Sequence, residues 1–279
     1  MSVKILVDST SDIPKELAQE LDITVVPIYT LFGAESYRDG LDIDHETFYE
    51  RLLGGEQPTT SQPTPQDFVE AYSLITPGAD GVCSIHLSSN LSGTYNAAVQ
   101  AANAKSWPCA INVIDTRLLS ISHGILAIKA AQMAKEGKSL EEITSAVKGM
   151  TERVRLLALF DTLKYLERGG RIGKAKSLIG SVLSIKPLLT IRDGEFVPIS
   201  QVRNRKKGID RLAEFASAEE NIEDMCILYS TTPDEAYALA ERLNHLHPQE
   251  KTLVARLGAG LAVHGGPGIL AIATMTKEV

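Results

Sequence analysis

The sequence predicts an α/β protein with two domains, an N-terminal domain of residues 1–153 and a C-terminal domain of residues 154–279. The first domain has a mostly parallel sheet with helices on both faces, because short apolar runs alternate with helical patterns. That alternation ends near Arg153. The second is an α+β domain with a mixed or antiparallel sheet, because Asp193-Gly194 between two apolar runs supplies the positive φ angles of a tight hairpin turn.

The N-terminal domain begins with a predicted strand over residues 3–7 that ends in a polar turn. Pro14 suits the first turn of the helix that follows, so Ser11 or Asp12 is predicted to cap that helix. Capping is a more common role for such residues than direct contact with a ligand.

The rest of the domain repeats the pattern of strand and helix. Apolar residues at helical spacing follow each predicted cap, as in an amphipathic helix. The predicted strands cover residues 23–27, 81–85 and 111–114, and the predicted helices start after Asp44, at Thr64, at residue 96, at Ile121 and at the capping box of Ser139.

The C-terminal domain combines the predicted hairpin with further helices and buried strands. Its strands are short apolar runs rich in β-branched and aromatic residues. The predicted strands cover residues 156–160, 225–229, 252–256 and 269–273, and the predicted helices cover residues 163–166, 175–185, 209–218 and 236–243, the last capped by Thr232.

The composition, 44% hydrophobic and 23% charged, is that of a globular protein. The formal charge of -7, from 28 basic and 35 acidic residues, gives nucleic acid no general electrostatic attraction, so no such partner is expected. No apolar run approaches the length of a bilayer span, and no signal-peptide pattern precedes residue 3. The three cysteines, Cys83, Cys109 and Cys226, have no C-x-x-C spacing. We therefore expect a cytoplasmic protein with reduced thiols and no integral membrane segment.

Two clusters of hydroxyl residues, at positions 59–65 and 87–95, are the most distinctive feature of the sequence. The second cluster lies where the strand over residues 81–85 leads into a helix. Ligands of open α/β sheets bind at such junctions, and the first turn of the helix presents unpaired N–H groups that favour an anion. Thr64 by itself satisfies the cap of its helix, so the hydroxyls before it are surplus to capping.

Catalytic motifs are sparse. No G-x-S-x-G sequence is present, and the six histidines are scattered, so neither a catalytic metal nor a cofactor is expected. His86 is close in sequence to the second cluster, but a histidine at a strand end is more typical of structural hydrogen bonding. Residues 169–175 lack the spacing and the Ser or Thr of a phosphate loop. A serine-dependent hydrolase or acyltransferase using Ser92 or Ser61 remains the enzymatic alternative.

The two hydroxyl clusters resemble motifs of the DegV family of bacterial fatty-acid-binding proteins, which includes carrier subunits of fatty-acid kinases. The resemblance rests on Pro-Thr-Thr-Ser-Gln-Pro at residues 58–63 and Leu-Ser-Ser-Asn-Leu-Ser-Gly-Thr-Tyr at residues 87–95. Further similar motifs follow the family order along the whole chain, at residues 5–12, 113–116, 169–172, 186–189 and 266–268.

The resemblance implies a non-catalytic carrier that binds one long-chain fatty acid, such as palmitate, in an apolar tunnel between the two domains. Thr60 and Ser92 occupy the positions where the family binds the carboxylate, and Ser61 and Ser89 are their nearest rivals. His264, in another motif similar to the family, is a further candidate for contact with the ligand. The candidates to line the tail are Ile28, Phe160, Leu178, Val182, Ile185 and Leu189.

Some members of the resembled family present the acyl group to a separate fatty-acid kinase, which leads into phospholipid metabolism. The resemblance therefore implies a kinase subunit as a partner. Arg203, in the basic run at residues 203–207, and Arg171 are the candidates to contact this partner or the acyl phosphate. For the basic run, a solvated helix start is the structural alternative. A lipid-sensing regulatory protein with no kinase partner is the functional alternative.

Overall fold

The computed structural model describes residues 2–178 and 185–278. The strands in these ranges are β1 (Val3–Asp8), β2 (Ile23–Val26), β3 (Tyr29–Phe32), β4 (Glu35–Arg38), β5 (Thr59–Ser61), β6 (Gly81–His86), β7 (Ile111–Asp115), β8 (Val154–Leu159), β9 (Lys186–Arg192), β10 (Glu195–Val202), β11 (Ile222–Tyr229), β12 (Leu253–Arg256) and β13 (Leu270–Thr276). The helices are α1 (Lys15–Glu20), α2 (His45–Leu53), α3 (Pro65–Ile75), α4 (Thr94–Ala102), α5 (Ile121–Lys135), α6 (Leu140–Thr151), α7 (Lys164–Arg168), α8 (Arg205–Ser217), α9 (Pro233–Arg242) and α10 (Ala259–Gly265).

The N-terminal sheet is parallel throughout, with the strand order β2-β1-β6-β7. Successive residues of a strand point to opposite faces, and both faces of β1 are buried. Ile5 packs with α5 on one face, whereas Leu6 packs with α3 and α4 on the other. These layers confirm the predicted α/β class. The carboxyl ends of the four strands meet at one edge, and the second hydroxyl cluster follows β6 at that edge.

Three predicted helix caps and the predicted hairpin are confirmed. The Asp44 side chain accepts a hydrogen bond from the backbone N–H of Thr47, and Thr64 and Ser139 each begin a reciprocal capping box. The hairpin joins β9 to β10. Its turn residues Asp193 and Gly194 have φ angles of 52° and 80°, as the Asp-Gly sequence predicts.

A second sheet of three antiparallel strands, ordered β4-β3-β5, was not predicted. Strand β5 is part of the first hydroxyl cluster, and its Thr60 is paired with Thr30 of β3. A strand of three hydroxyl residues shows no alternation of apolar and polar residues, so the sequence favoured a turn at this position. The pairing with β3 fixes the direction of the Thr60 side chain.

The C-terminal sheet has six strands in the order β10-β9-β8-β13-β11-β12 and is mixed, because β11 and β12 are parallel and the other pairs are antiparallel. Helices α8 and α9 pack on one face of this sheet. The other face belongs to one core cluster with α5 and with strand β1 of the parallel sheet. The division into domains at residue 153 stays a prediction, since this cluster is continuous across it.

Three local predictions need correction. The N-cap of α1 is Pro14, which makes no side-chain cap, and Asp12 instead accepts a hydrogen bond from the distant Gly258. The Thr232 side chain makes no cap for α9 and accepts a hydrogen bond from Arg205. Residues Gly173–Leu178 form a 3₁₀ helix at the start of the helix predicted over residues 175–185, and residues 179–184 lie outside the described residues.

Among the described residues, no helix combines the length and the apolar character that crossing a membrane would require. Helix α5 is the longest of the described helices, and it ends at Lys135 after 15 residues. Its buried residues pack between the parallel and the mixed sheets.

Candidate functional site

A largely apolar cavity lies where the two hydroxyl clusters and α10 meet the mixed sheet. Its empty space, with the solvent of the open mouth included, is about 930 Å³. Leucine, isoleucine, phenylalanine and alanine side chains make up most of the wall. The polar residues on the wall are Thr10, Thr60, Ser61, Gln62, Ser92, Ser120, Arg171 and His264.

Thr60 and His264, which both line this cavity, are hydrogen-bonded to each other. The distance from Thr60 Oγ1 to His264 Nε2 is 2.8 Å, although the two residues are 204 positions apart. Strand β5 positions the threonine and α10 positions the histidine. Burial, together with the positive charges of Arg171 and Arg168, lowers the pKa of His264 to about 4. The imidazole is therefore neutral at physiological pH.

Ser92 reaches the same cavity from the loop between β6 and α4. Its Oγ lies 2.9 Å from Thr94 Oγ1 and accepts a hydrogen bond from the Thr94 backbone N–H at 3.3 Å. The two clusters also touch directly. A methyl group added to Gly93 would lie 2.1 Å from the side-chain oxygen of Gln62, so a larger residue at position 93 would displace the Gln62 side chain.

Ser61 and Ser89, the alternative candidates for contact with the carboxylate, differ in whether they line the cavity. Ser61 is exposed at the cavity wall, and its hydroxyl donates to the backbone carbonyl of Gln62 at 3.3 Å. Ser89 does not line the cavity. Its hydroxyl donates to Asp115 at 2.5 Å and its backbone N–H donates to the other carboxylate oxygen at 3.1 Å. We therefore leave Ser89 out of the candidate site.

Two arginines were predicted to contact a partner or a phosphate. Arg171 is exposed at the cavity wall, and it donates to the backbone carbonyls of Gly169 at 2.7 Å and Leu91 at 3.3 Å. Arg203 is exposed just before α8 and forms no ion pair with any described residue. Its neighbour Arg205 is instead tied to Glu235 and Asp161. The structure thus brings Arg171, but not Arg203, to the cavity.

The apolar wall agrees in part with the predicted lining. Ile28 and Phe160 line the cavity. Leu178, Ile185 and Leu189 are not among the described residues of the wall, and Val182 lies outside the described residues. The strands β8, β13 and β11 contribute part of the wall. In a sheet that is buried on both faces, the residues on the two faces of a strand are equally apolar, so the sequence pattern does not show which of them face the cavity.

His86 does not serve the candidate site. It is fully buried, with Nε2 at 2.7 Å from Ser84 Oγ and Nδ1 at 3.0 Å from Asp8 Oδ2. Burial would raise the pKa of Asp8, but the hydrogen bond with His86 and the nearby His123 outweigh it and lower that pKa to about 2. This histidine therefore has the structural role that the sequence favoured. Ser92, by contrast, is hydrogen-bonded to a threonine and not to a histidine.

Two buried polar residues of the wall were missed from the sequence, namely Thr10 and Ser120. The Thr10 hydroxyl donates to Asp8, and the Ser120 hydroxyl is bonded to Asp12. Helix α10 was also missed, because its sequence of small residues with one histidine has no amphipathic pattern. No local signal distinguishes these residues from turn residues. Within the described part of the chain, no group of His, Cys, Asp and Glu side chains is arranged to bind a metal ion.

Comparison with known proteins places the whole chain in one group. The sequence model described as "Uncharacterised protein, DegV family" matches residues 2–277. A DegV domain-containing protein of Streptomyces coelicolor is 37% identical over 99% of both chains, and Protein DegV of Bacillus subtilis is 33% identical over 98% of both.

Solved structures are similar over the same length. One is described as showing fatty acid binding by a DegV family protein from Thermus thermophilus, and it has a TM-score of 0.90 and 33% identity, covering 99% of this chain and 100% of that one. DegV of Bacillus subtilis, described as a fatty acid binding protein, has the same values. A stearic-acid-binding protein from Eubacterium ventriosum has a TM-score of 0.88 and 25% identity, covering 99% of this chain and 98% of that one.

Proposed function

Because this chain belongs to the DegV family, we propose that it binds one long-chain fatty acid, with the carboxylate on Thr60 and Ser92 and the acyl tail in the apolar cavity. One observation carries the proposal. Hydroxyl residues from two remote segments line a single apolar cavity, and one of them, Thr60, is hydrogen-bonded to a neutral histidine. The relatives described as fatty-acid-binding proteins support the choice of ligand.

Neutral donors suit the proposed headgroup contact. His264 Nδ1 is buried without a hydrogen-bond partner among the described residues, and an unpaired buried acceptor is tolerated better than an unpaired N–H. We therefore assign the proton to Nε2, which then donates to Thr60 Oγ1. The Thr60 hydroxyl proton is left free to donate to a carboxylate. Ser92 adds a second hydroxyl, and Arg171 supplies positive charge at the cavity wall.

The acyl tail supplies most of the expected affinity. Burial of hydrocarbon contributes about 0.8 kcal/mol per methylene, so some fourteen methylenes of palmitate give roughly 11 kcal/mol. Association itself costs about 4 to 15 kcal/mol. Hydroxyl contacts then orient the acid without an obligatory ion pair, which leaves the carboxyl chemically available to an enzyme that acts on it.

Extraction and mass spectrometry of the purified protein test the binding proposal. We expect a stoichiometric long-chain fatty acid in the wild type and loss of most of it in the Thr60→Ala, Ser92→Ala double variant, with the fold retained. Thr59→Ala is the matched control, because Thr59 is exposed on the same strand and does not line the cavity. A double variant that keeps its full lipid content would contradict the assignment.

We further propose that the protein presents the bound acid to a separate fatty-acid kinase. The exposed Arg203 and Arg171 are the candidates to contact the kinase or the acyl phosphate. Arg203→Glu is expected to leave lipid content unchanged and to lower the rate of acyl-phosphate formation by an added bacterial fatty-acid kinase with ATP. Lys277→Glu, the same charge change at an exposed position outside the basic run, is the control. Equal rates in both variants would exclude a docking role for Arg203.

The same assay separates the carrier from the lipid-sensing alternative, which shares the binding site. A sensor would bind palmitate but support no phosphorylation of it by any kinase supplied. The hydrolase alternative predicts release of product from an acyl ester and loss of that activity in Ser92→Ala. We expect neither, because Ser92 has no histidine in hydrogen-bond contact.

A further inference from the structure

Two buried carboxyl groups from the N-terminal half meet at one point of the C-terminal half. Asp12 and Asp39, the acid pair, are 8% and 5% exposed. A methyl group added to Gly258 would lie 3.0 Å from Asp12 Oδ1 and 3.4 Å from Asp39 Oδ2. Both groups thus flank Gly258, and in a buried place a charge on Asp39 disfavours a second charge on Asp12, so we expect the pair to hold one proton.

The acid pair holds the first turn of α10. The N–H of Gly258 donates to Asp12 Oδ1 at 2.8 Å. The Asp39 carboxylate accepts the Ser9 hydroxyl at 3.0 Å, and the nearby N–H groups of Ala259 and Gly260 lower its pKa against the effect of burial. N–H groups at the start of a helix have no partner within the helix. The acid pair therefore supplies the acceptors that this short helix lacks.

The other end of α10 carries the candidate headgroup residue. Gly260, Leu261, His264 and Gly265 all line the cavity, and His264 is bonded to Thr60. The helix is only two turns long, so a shift of its first turn moves its last turn as well. The position of His264 thus depends on acceptors that lie outside the cavity.

The two carboxyl groups have different partners. Each carboxyl group has one hydroxyl partner, Ser9 for Asp39 and Ser120 for Asp12, but Asp39 lies beside two N–H groups, which can only donate and so favour an ionised acceptor. Asp12 faces one N–H group and the hydroxyl of Ser120, and a hydroxyl can accept a proton as well as donate one. The partners therefore place the charge on Asp39 and the proton on Asp12.

Ser120 adds an independent sign of constraint. It is 3% exposed and lines the cavity. Its backbone has φ 56° and ψ -154°, a conformation that residues other than glycine rarely adopt and that surrounding contacts must maintain. This conformation directs the Ser120 hydroxyl to Asp12 and places the start of α5 at the cavity.

We propose that Asp12 and Asp39 are positioning residues that share one proton, with Asp12 neutral and Asp39 ionised, and that they fix α10 and hence His264 at the cavity. The inference deepens the proposed fatty-acid site and rests on it for its relevance to binding. Burial raises the pKa of Asp12 to about 8 against the hydrogen bonds of Ser120 and Gly258. Burial raises that of Asp39 only to about 6, against the bonds of Ser9, Gly260 and Ala259.

The titratable and charged groups that face the acid pair come from three other elements. They are Asp8 of β1 and Tyr49 of α2, and the charge of Arg256 of β12 reaches them through the Tyr49 ring, over which it lies at 4.7 Å. The ionised Asp8 disfavours a second charge on the pair. Burial raises the pKa of Tyr49, so this phenol stays neutral across the range of the experiment below.

Hydrogen exchange of the α10 amides, followed by mass spectrometry on lipid-free protein, tests the inference. Asp39→Asn replaces an acceptor oxygen by a donor, so we expect the exchange rate of the α10 amides to rise at least about tenfold. This factor corresponds to the loss of one hydrogen bond to a charged group. Asp12→Asn imitates the neutral acid, because its carbonyl oxygen can accept from the Gly258 N–H and its amide can donate to the Ser120 hydroxyl. We therefore expect a much smaller rise in α10 exchange for this variant. Asp234→Asn, at the exposed first turn of α9, is the matched control.

A pH profile of the wild type distinguishes positioning by a shared proton from a purely structural contact. Raising the pH from 7 to 9 ionises Asp12 next to Asp39, so α10 exchange should rise faster than that of α9, and Asp12→Asn should lack this extra rise. Equal effects of the two asparagine variants, or a profile that does not depend on Asp12, would overturn the inference. The profile also decides the matter if Asp39→Asn does not fold.

The lipid-free measurement keeps this inference separate from the proposed function. If wild-type protein binds no palmitate, the fatty-acid proposal fails while the exchange data still report on the acid pair. If palmitate binds, Asp39→Asn is expected to weaken that binding more than Asp12→Asn does. Tight palmitate binding by Asp39→Asn with α10 in rapid exchange would remove the link between the pair and the headgroup.

Discussion

The cavity wall contains a place where a single added side chain should exclude part of the acyl chain that we propose to bind there. Ala158 of β8 lies opposite Ala271 of β13, which lies opposite Leu228 of β11, and all three line the cavity. Two small residues in register leave a depression in the sheet surface. Leucine at position 158 would fill this depression from the wall, while the backbone pairing of β8 stays the same.

The expected magnitude follows from the volume that leucine removes. The substitution Ala158→Leu adds three carbon atoms, which exclude about three methylenes of the ligand. At about 0.8 kcal/mol for each buried methylene, the loss is roughly 2.4 kcal/mol, or about 50-fold in the dissociation constant. A shorter acid that does not reach this part of the cavity should lose nothing.

Displacement of a fluorescent fatty acid by palmitate and by decanoate measures the two affinities. We expect Ala158→Leu to weaken palmitate about 50-fold and to leave decanoate nearly unchanged. Ala104→Leu, at an exposed position after α4, controls for the added side chain. Circular dichroism confirms that the variant is folded. An equal loss for both acids, or no loss for palmitate, would refute the placement of the tail along β8 and β13.

Two further predictions concern stability. The raised pKa of Asp12, about 8, means that its contribution is fully present below the unfolded value of 3.8 and is lost as the pH rises through 8. Urea unfolding should show the wild type losing up to about 1.4 kcal/mol per pH unit relative to Asp12→Asn between pH 6 and 8, and parallel curves would contradict the assigned shift. The second prediction compares two glycine substitutions in the same urea experiment. In Gly260→Ala, the added methyl group would lie 2.2 Å from Ile28 Cδ1, so we expect the free energy of unfolding to fall by about 1–3 kcal/mol. In Gly149→Ala, the methyl group would lie in open space, so we expect the free energy of unfolding to rise by about 0.5–1 kcal/mol. Equal effects of the two glycine variants would show that the close packing of α10 is unimportant.

Elements with local signals were predicted well. Thr64 and Ser139 cap their helices with a partner three residues away, and the Asp193-Gly194 turn determines its own φ angles. Local partners are visible in any single sequence. Thr60 and Ser92 were singled out through excess hydroxyls and through family resemblance, and their role as headgroup contacts stays a prediction.

Elements that depend on distant partners were missed. Strand β5 forms because its backbone pairs with the edge of β3, and its side chains show no strand pattern in the sequence. Asp12 looked like a helix cap, yet its partners are Ser120 and Gly258, which are 108 and 246 positions away. A carboxylate accepts hydrogen bonds from whatever donors the fold brings near, so its sequence neighbours do not reveal its role.

The sequence by itself determined the α/β class, the starts of α2, α3, α5 and α6, the hairpin and the two segments that meet at the cavity, because capping, periodicity and turn chemistry act over a few residues. Tertiary structure decided the composition of the cavity wall, the removal of Ser89 from it and the contact of His264 with Thr60. It also decided that two buried acids support α10. These features arise from the packing of segments far apart in the chain, and burial then sets the charge of each group it encloses.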